Sequence, residues 1–377
     1  MLRRHHQPDY FLISNLALIL ISGLFILASA SSTIAYQKFQ DSYFYFKHQI
    51  FYGLIPGLFF LLIFSQIDYH HLKKFALPLF IITLFLLIAV FLPGFGFAHG
   101  QAQRWIKIGN LIFQPAELAK LSIILYLAAW LSKPHPTDGR GKESKIQRGQ
   151  FLFFLIFLGL ISLLIILQPN MGTLAIIVAL SLIIYFVAGG QISHLITLVG
   201  LMLVSFIILI KIAPYRLARI TAFFNPSFDS RGLTYQINQA LLGIGSGGIF
   251  GLGLGHSRQK FLYLPEMFGD SIFAVLAEEL GFILTTLFIL LLLYFTYRGL
   301  KTARLAPDLF GRLLATGISF WFIFQTIINI GAMLNLLPLT GIPLPLVSYG
   351  GSAMAIFLAA IGILINISRQ TVERGGQ

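Results

Sequence analysis

Apolar residues in this chain fall in long unbroken runs, not at every second or every third-to-fourth position. The runs cover about 10–31, 49–66, 75–93, 114–131, 151–168, 171–188, 191–213, 270–297, 312–336 and 345–367. Each is close to the ~20 residues a helix needs to cross the ~30 Å hydrocarbon core of a bilayer. A helix apolar on every side has no face to offer water. The pattern predicts an all-α integral membrane protein of ten transmembrane helices, one polytopic domain over residues 1–377. The first run resembles a signal peptide, with Arg3 and Arg4 before it and Ala28-Ser29-Ala30 behind it. It is longer than the ~7–15 apolar residues of such segments, and reads as a retained helix.

Composition agrees. The chain is 57% hydrophobic and 10% charged, where soluble domains carry about 25% charged residues. Disordered, collagenous, secreted disulfide-rich and cytosolic classes are excluded. Without cysteine, disulfides, thiolate nucleophiles and thiolate metal ligands are excluded too. The excess of 26 Lys and Arg over 13 Asp and Glu gives no argument for nucleic acid, because membrane proteins concentrate basic residues in cytoplasmic loops. With both termini cytoplasmic, the inside segments hold Arg3, Arg4, Lys73, Lys74, Lys133, Arg140, Lys142, Lys145, Arg148, Arg298, Lys301, Arg304, Arg312, Arg369 and Arg374. The short outside loops hold only Lys38, Lys47, Arg104 and Lys107. One outer connection, 214–269, is long and carries Arg216, Arg219, Arg231, Arg258 and Lys260 against Asp229 and Glu266. A connection of that length inside a compact domain is usually functional.

Ionisable groups at membrane depth cost at least ~2.5–3.5 kcal/mol on insertion scales and mark candidate sites. Glu117 and Lys120 stand three apart at the start of the fourth span, so they share a helix face and can pair. They form either an internal salt bridge or the wall of a polar cavity. Asp270, at the entry to the eighth span, suits a helix N-cap and equally a general base facing the outer basic loop. Glu278 and Glu279 cannot both face lipid. The run Gly243-Ile244-Gly245-Ser246-Gly247-Gly248 with Gly251, Gly253 and Gly255 contains a formal G-x-G-x-x-G. It lacks the strand context of a dinucleotide site and reads as a close backbone approach or a re-entrant stretch buried in protein. None of the histidines has metal-ligand spacing.

Several ordered motifs then match one family. They are Asp9-Tyr10, Ser29-Ala30-Ser31, Arg104-Trp105-Ile106, Gln114-Pro115-x-Glu117-x-x-Lys120, Gln168-Pro169-x-x-Gly172-Thr173 and Tyr235-Gln236-Ile237-Asn238-Gln239-Ala240. The run from Gly253 to Glu266, Ile272 to Phe282, and Thr340 to Ser352 complete the set. Over nearly its whole length the chain resembles the SEDS family of bacterial shape, elongation, division and sporulation proteins. Ser257-Arg258-Gln259-Lys260-Phe261-Leu262-Tyr263-Leu264-Pro265-Glu266 is more similar to the FtsW-type division branch than to the RodA-type elongation branch. The resemblance implies a ten-helix inner-membrane peptidoglycan glycosyltransferase. Such an enzyme polymerises lipid II into β-1,4 glycan strands and works with a class B penicillin-binding transpeptidase and other divisome proteins. The family's essential aspartate falls on Asp270. Phe268-Gly269 stands where the family commonly has His-Thr, Ser271 where it has Phe, and Asn170 where many members have Asp.

That chemistry needs one carboxylate to take a proton from an acceptor sugar hydroxyl and cations to stabilise a departing pyrophosphate. Asp270 supplies the first. Arg104, Lys120, Arg216, Arg219, Arg258 and Lys260 supply candidates for the second, and the Glu117/Lys120 pair would help shape the cavity. No cofactor is expected; a divalent cation bridging Asp270 and pyrophosphate has no motif of its own. The same charges and glycines would serve a lipid II flippase or other transporter, although the paired broken helices typical of that class have no counterpart in the first half of the sequence. A non-catalytic scaffold for the transpeptidase is the third reading.

Overall fold

The computed structural model describes residues 7–99, 102–109, 111–133, 148–212, 214–225, 232–261 and 263–371. Several basic positions expected on the cytoplasmic side (Arg3, Arg4, Arg140, Lys142, Lys145 and Arg374) lie outside them, as do His5 and His6. The apolar runs become helices α1 (Tyr10–Phe39), α2 (Phe44–Gln49), α3 (Ile55–Gln66), α4 (Leu72–Ala89), α5 (Pro115–Leu131), α6 (Arg148–Leu167), α7 (Met171–Val187) and α8 (Ile192–Ile212). Two helices inside the long connection follow, α9 (Pro214–Phe224) and α10 (Leu233–Ser246), and then α11 (Ile272–Leu305), α12 (Leu309–Met333) and α13 (Gly351–Ser368). A π-helical stretch, Ile50–Leu54, joins α2 to α3 in one rod. Among the described residues seven helices are long and apolar enough to cross a membrane. The apolar α5 and α7, of 17 residues each, and α8, of 21, fill the intervening positions.

Helix ends follow capping chemistry. Asp9 accepts from Leu12 N at 3.1 Å to start α1, and also holds Arg298 of α11 through both carboxylate oxygens. Asn170 accepts from Thr173 N at 3.3 Å at the head of α7. Its amide oxygen can cap as an aspartate would, so this departure from the family pattern preserves the helix start.

The helices form two shells. The central one, α5, α12 and α13, is buried on nearly every side: 78% of the apolar window of α13 is buried, against 22% for α4 and for α6. Close approach there uses small residues. A Cβ at Gly362 of α13 would lie 2.6 Å from Leu61 O of α3, so the two backbones meet with nothing between them. The peripheral helices leave residues such as Phe75, Phe85, Ile196 and Leu203 exposed for lipid.

Three features escape the hydropathy pattern. The connection between α4 and α5 is an antiparallel meander of β1 (Gly96–His99), β2 (Ala102–Ile108) and β3 (Leu111–Phe113). Second, the segment 334–350 before α13 is irregular yet largely buried, with Leu344, Leu346, Val347 and Ser348 all inside. Non-helical backbone is tolerated at such a depth only inside protein.

The third is a break in α11 at Gly281 (φ 71°). Nine residues below the helix start, or ~14 Å at 1.5 Å per residue, the glycine-rich turn after α10 plugs into this gap. Leu252 N and Gly253 N each donate at 3.0 Å to the carbonyls of Glu278 and Glu279. Phe282 N and Ile283 N donate to Gly248 O and Ile249 O at 2.9 and 3.2 Å. Helix α10 and its turn therefore form a re-entrant hairpin, and the backbone groups freed by the break find partners that lipid could not supply. At the tip Phe250 is 82% exposed.

Candidate active site

Asp270 sits one residue before the N-cap of α11, which falls on Ser271. Its carboxylate is turned away from capping. Gln236 of α10 donates to Asp270 Oδ1 at 3.3 Å and to Ser271 Oγ at 2.9 Å. Asn329, near the end of α12, donates through one nitrogen to Asp270 O (2.7 Å) and Ile342 O (2.8 Å). Ser348 Oγ donates to Gly269 O at 2.6 Å, and Tyr349 N to Phe268 O at 2.9 Å. On the far side of the carboxylate, a Cβ at Gly341 would lie 3.6 Å from Asp270 Oδ2. The turn that carries Asp270 is thus clamped by α10, α12 and the buried 340–349 segment. The side chain itself stays half-buried at the rim.

Burial first, and then the charge of Glu266, push the Asp270 carboxyl up to about 7 against the opposing pull of Arg219 of α9 and the Gln236 bond. Arg219 also donates to Thr340 O at 3.4 Å, which fixes it over the same segment. Of the candidate cations whose side chains the structure describes, Arg219 is the one brought to Asp270.

The others have their own places. Arg104, in β2, donates to Gln168 O at 3.1 Å and to Pro169 O, linking the meander to the turn before α7. Glu117 and Lys120 pair at 2.8 Å and are 2% and 1% exposed. Lys120 donates also to Gln325 Oε1 at 2.9 Å, and Gln325 Nε2 donates to Pro343 O at 3.0 Å. The pair therefore lies beneath the floor of the Asp270 site. The side chain of Arg216 lies outside the described residues. Arg258 is exposed, with its backbone N donating to Glu278 Oε1 at 3.0 Å.

Lys260 is buried, 3.6 Å from Glu279 Oε1 and donating to Gly255 O. Glu279 also accepts from Ser29 Oγ (2.6 Å) and Ser257 N (3.2 Å), and Glu278 from Ser246 Oγ (3.2 Å), Gln259 N (3.3 Å) and Ser257 Oγ. The two glutamates are 0% and 1% exposed. They are the anchors that hold the returning arm of the re-entrant hairpin.

Gln236 and Asn329, which hold Asp270, escaped residue-by-residue reading. Gln236 carried a signal as a polar residue repeated within Tyr235-Gln236-Ile237-Asn238-Gln239. Asn329 is a single buried amide in an apolar run, and only its position in space shows its use. Among the described residues no group of three or more His, Asp or Glu could hold a metal ion.

This geometry can be set beside known proteins. The family described as "Cell cycle protein", FtsW/RodA/SpoVE, matches residues 10–373. Stage V sporulation protein E of Bacillus subtilis (strain 168) is 40% identical over 372 residues, covering 98% of this chain and 99% of that one. A probable peptidoglycan glycosyltransferase FtsW of Geobacter sp. (strain M18) is 37% identical over 367 residues, 97% and 98% of the two chains. Among solved structures, a chain of a peptidoglycan synthase complex that coordinates polymerization and crosslinking superposes with a TM-score of 0.77 at 26% identity, over 96% of this chain and 98% of that one. Rod shape determining protein RodA of Thermus thermophilus gives 0.70 at 27% identity, over 97% and 98%. With motifs, fold and relatives in agreement over almost every residue, the chain belongs to the FtsW/RodA/SpoVE family of cell cycle proteins, multi-pass proteins of the bacterial membrane.

Proposed function

We propose that this protein is a peptidoglycan glycosyltransferase, polymerising lipid II at the outer face of the inner membrane with Asp270 as general base. Ten spans with both termini cytoplasmic put α9, α10, the 266–271 turn and the 334–350 segment on that face. In the reaction, Asp270 takes the proton of the acceptor sugar 4-hydroxyl as its oxygen bonds to the donor anomeric carbon. The bond from that carbon to the pyrophosphate oxygen breaks, and polyprenyl pyrophosphate leaves with the electron pair. A single displacement inverts the anomeric centre and gives the β-1,4 link without a protein nucleophile. The base then loses its proton to solvent. Arg219, over the same segment, and the exposed Arg258 on the neighbouring loop are the cations offered to the departing diphosphate. Glu117 and Lys120 support the floor through Gln325 and Pro343. A class B penicillin-binding transpeptidase is the proposed partner, and the relatives named for FtsW and for sporulation favour a division or sporulation role over elongation.

The observation that carries this reading is a half-buried carboxylate at the rim, bonded by the Gln236 amide on a turn that Asn329 holds by its backbone, near the Arg219 guanidinium and titrating near 7. A base with a pKa near the working pH binds the proton well while about half of it remains ionised. The test is polymerisation of labelled lipid II by the chain with its transpeptidase, comparing wild type with Asp270→Asn. Loss of about a hundredfold or more is expected. Undiminished polymer would remove Asp270 from the base role. Movement of lipid II across reconstituted vesicles with no polymer formed would point to the transporter reading.

A further inference from the structure

Four residues before Asp270 the chain turns through Glu266, a non-glycine residue at φ 50°. Its carbonyl accepts from both Gly269 N (2.9 Å) and Ser271 N (3.1 Å), closing the turn that presents Asp270. The side chain is exposed to solvent but does not extend away from the turn. It folds back over Gly269, so that Glu266 Oε2 lies 3.1 Å from where a Cβ on residue 269 would stand. Any larger side chain at 269 would press on this carboxylate. The glycine, one of the departures from the family pattern, leaves the room it occupies. The neighbouring departure, Phe268, stacks on Tyr45 of α2 with ring centroids 4.5 Å apart and meets Tyr349 edge-on at 5.7 Å, which walls the turn on its other side.

We propose that Glu266 is a second functional carboxylate of the site, a positioning residue folded over Gly269 whose negative charge strengthens Asp270 as a proton acceptor. This rests on the general-base reading above and deepens it. A carboxylate beside another disfavours the second charge, so the proton is held more tightly. The surroundings of the pair are otherwise nearly neutral. From α9, Arg219 opposes the effect. From α10 and α12 come the amides Gln236 and Asn329. From α2, Tyr45 feels the charge of Glu266, and behind it Tyr349 bonds to His48 Nδ1 at 2.9 Å. The 340–349 segment adds Gly341 and Ser348. Burial and Glu266 together outweigh Arg219, which is the direction the carboxyl takes.

The experiment is the pH dependence of lipid II polymerisation by the full chain with its transpeptidase, for wild type, Glu266→Gln, Glu266→Asn and Asp270→Asn. Gln matches Glu in shape. Asn is among the residues that accept left-handed backbone most readily, so it preserves the turn even if Gln loosens it. In both Glu266 variants the acid limb of kcat should move to lower pH by about one unit, with KM for lipid II changed less than about threefold. A limb that stays in place, or a rise in KM alone, overturns the proposal. The Asp270→Asn arm separates the two claims. Full activity there removes the base itself, whereas an inactive Asp270→Asn beside unmoved Glu266 variants removes only the role of Glu266.

Discussion

Two charged sites joined through the 340–349 segment are treated in opposite ways. Glu117 and Lys120 are paired at 2.8 Å, shut away from solvent and tied to Gln325. Asp270 is half open, held by amides, and flanked by Glu266 and Arg219, charges of opposite sign that leave it unpaired. The closed pair is built on α5 and α12, helices buried on nearly every side. The open one is assembled from loop, re-entrant helix and irregular backbone. Chains of side-chain bonds join them: Lys120 to Gln325 to Pro343 on one side, and Asp270 to Asn329 to Ile342 on the other. The difference separates a charge that supports from a charge kept available. A pair shut away from solvent is out of reach of substrate, even though Glu117 Oε2 keeps a free lone pair. A carboxylate titrating near neutral pH at the rim can accept a proton and release it.

The contrast can be broken from either end. The largest effect belongs to the open site: Asp270→Asn should lower polymerisation by about 10²–10⁴-fold with an unchanged thermal unfolding profile in detergent. At the closed pair the main loss should be stability. Lys120→Met strands the Glu117 carboxylate in the interior, which costs about 3–5 kcal/mol and should appear as a lower unfolding temperature. The double variant Glu117→Gln/Lys120→Met should recover most of it. If the double variant is as unstable as the single, the pair is not isolated as described.

Between the two lies the hairpin. At Gly281→Ala the added Cβ would fall on Gly251 N at φ 71°, so the turn must leave the break in α11. A loss of about 1–3 kcal/mol is expected, with polymerisation falling alongside because α10 carries Gln236. The smallest effect is that of Arg219→Ala. The expectation is about a tenfold lower kcat/KM, ~1.4 kcal/mol, with the acid limb displaced to higher pH. The sign follows from charge: Arg219 favours the ionised carboxylate, so its removal makes Asp270 keep its proton longer.

Much of this was legible in the sequence because bilayer insertion constrains composition so strongly. The apolar runs located the membrane helices to within a few residues at most ends. The spacing of Glu117 and Lys120 announced their pairing, and the glycine run after Gln236 announced a close backbone approach. Less legible was anything fixed by contacts distant in sequence. The meander around Arg104-Trp105-Ile106 is too short to register against the flanking apolar runs. The break at Gly281 lies inside a run that hydropathy reads as continuous, since its freed backbone groups are satisfied by residues 248–253. Glu278 and Glu279 were recognisable as charges needing partners, but the partners, Ser29, Ser246 and Ser257, come from three separate segments. Asp270 could have been a helix cap on local grounds, and only the Gln236 amide of α10 shows its carboxylate facing elsewhere.

The most direct measurement of the central claim is the rate of lipid II polymerisation by the wild-type protein with its transpeptidase as a function of pH. Asp270 must be ionised to accept a proton, and its carboxyl is held near 7. The rate should therefore climb about tenfold per pH unit below neutrality and level off above a midpoint near 7. A rate independent of pH between about 5 and 8, or a midpoint in the ordinary carboxylate range near 4, would contradict the account.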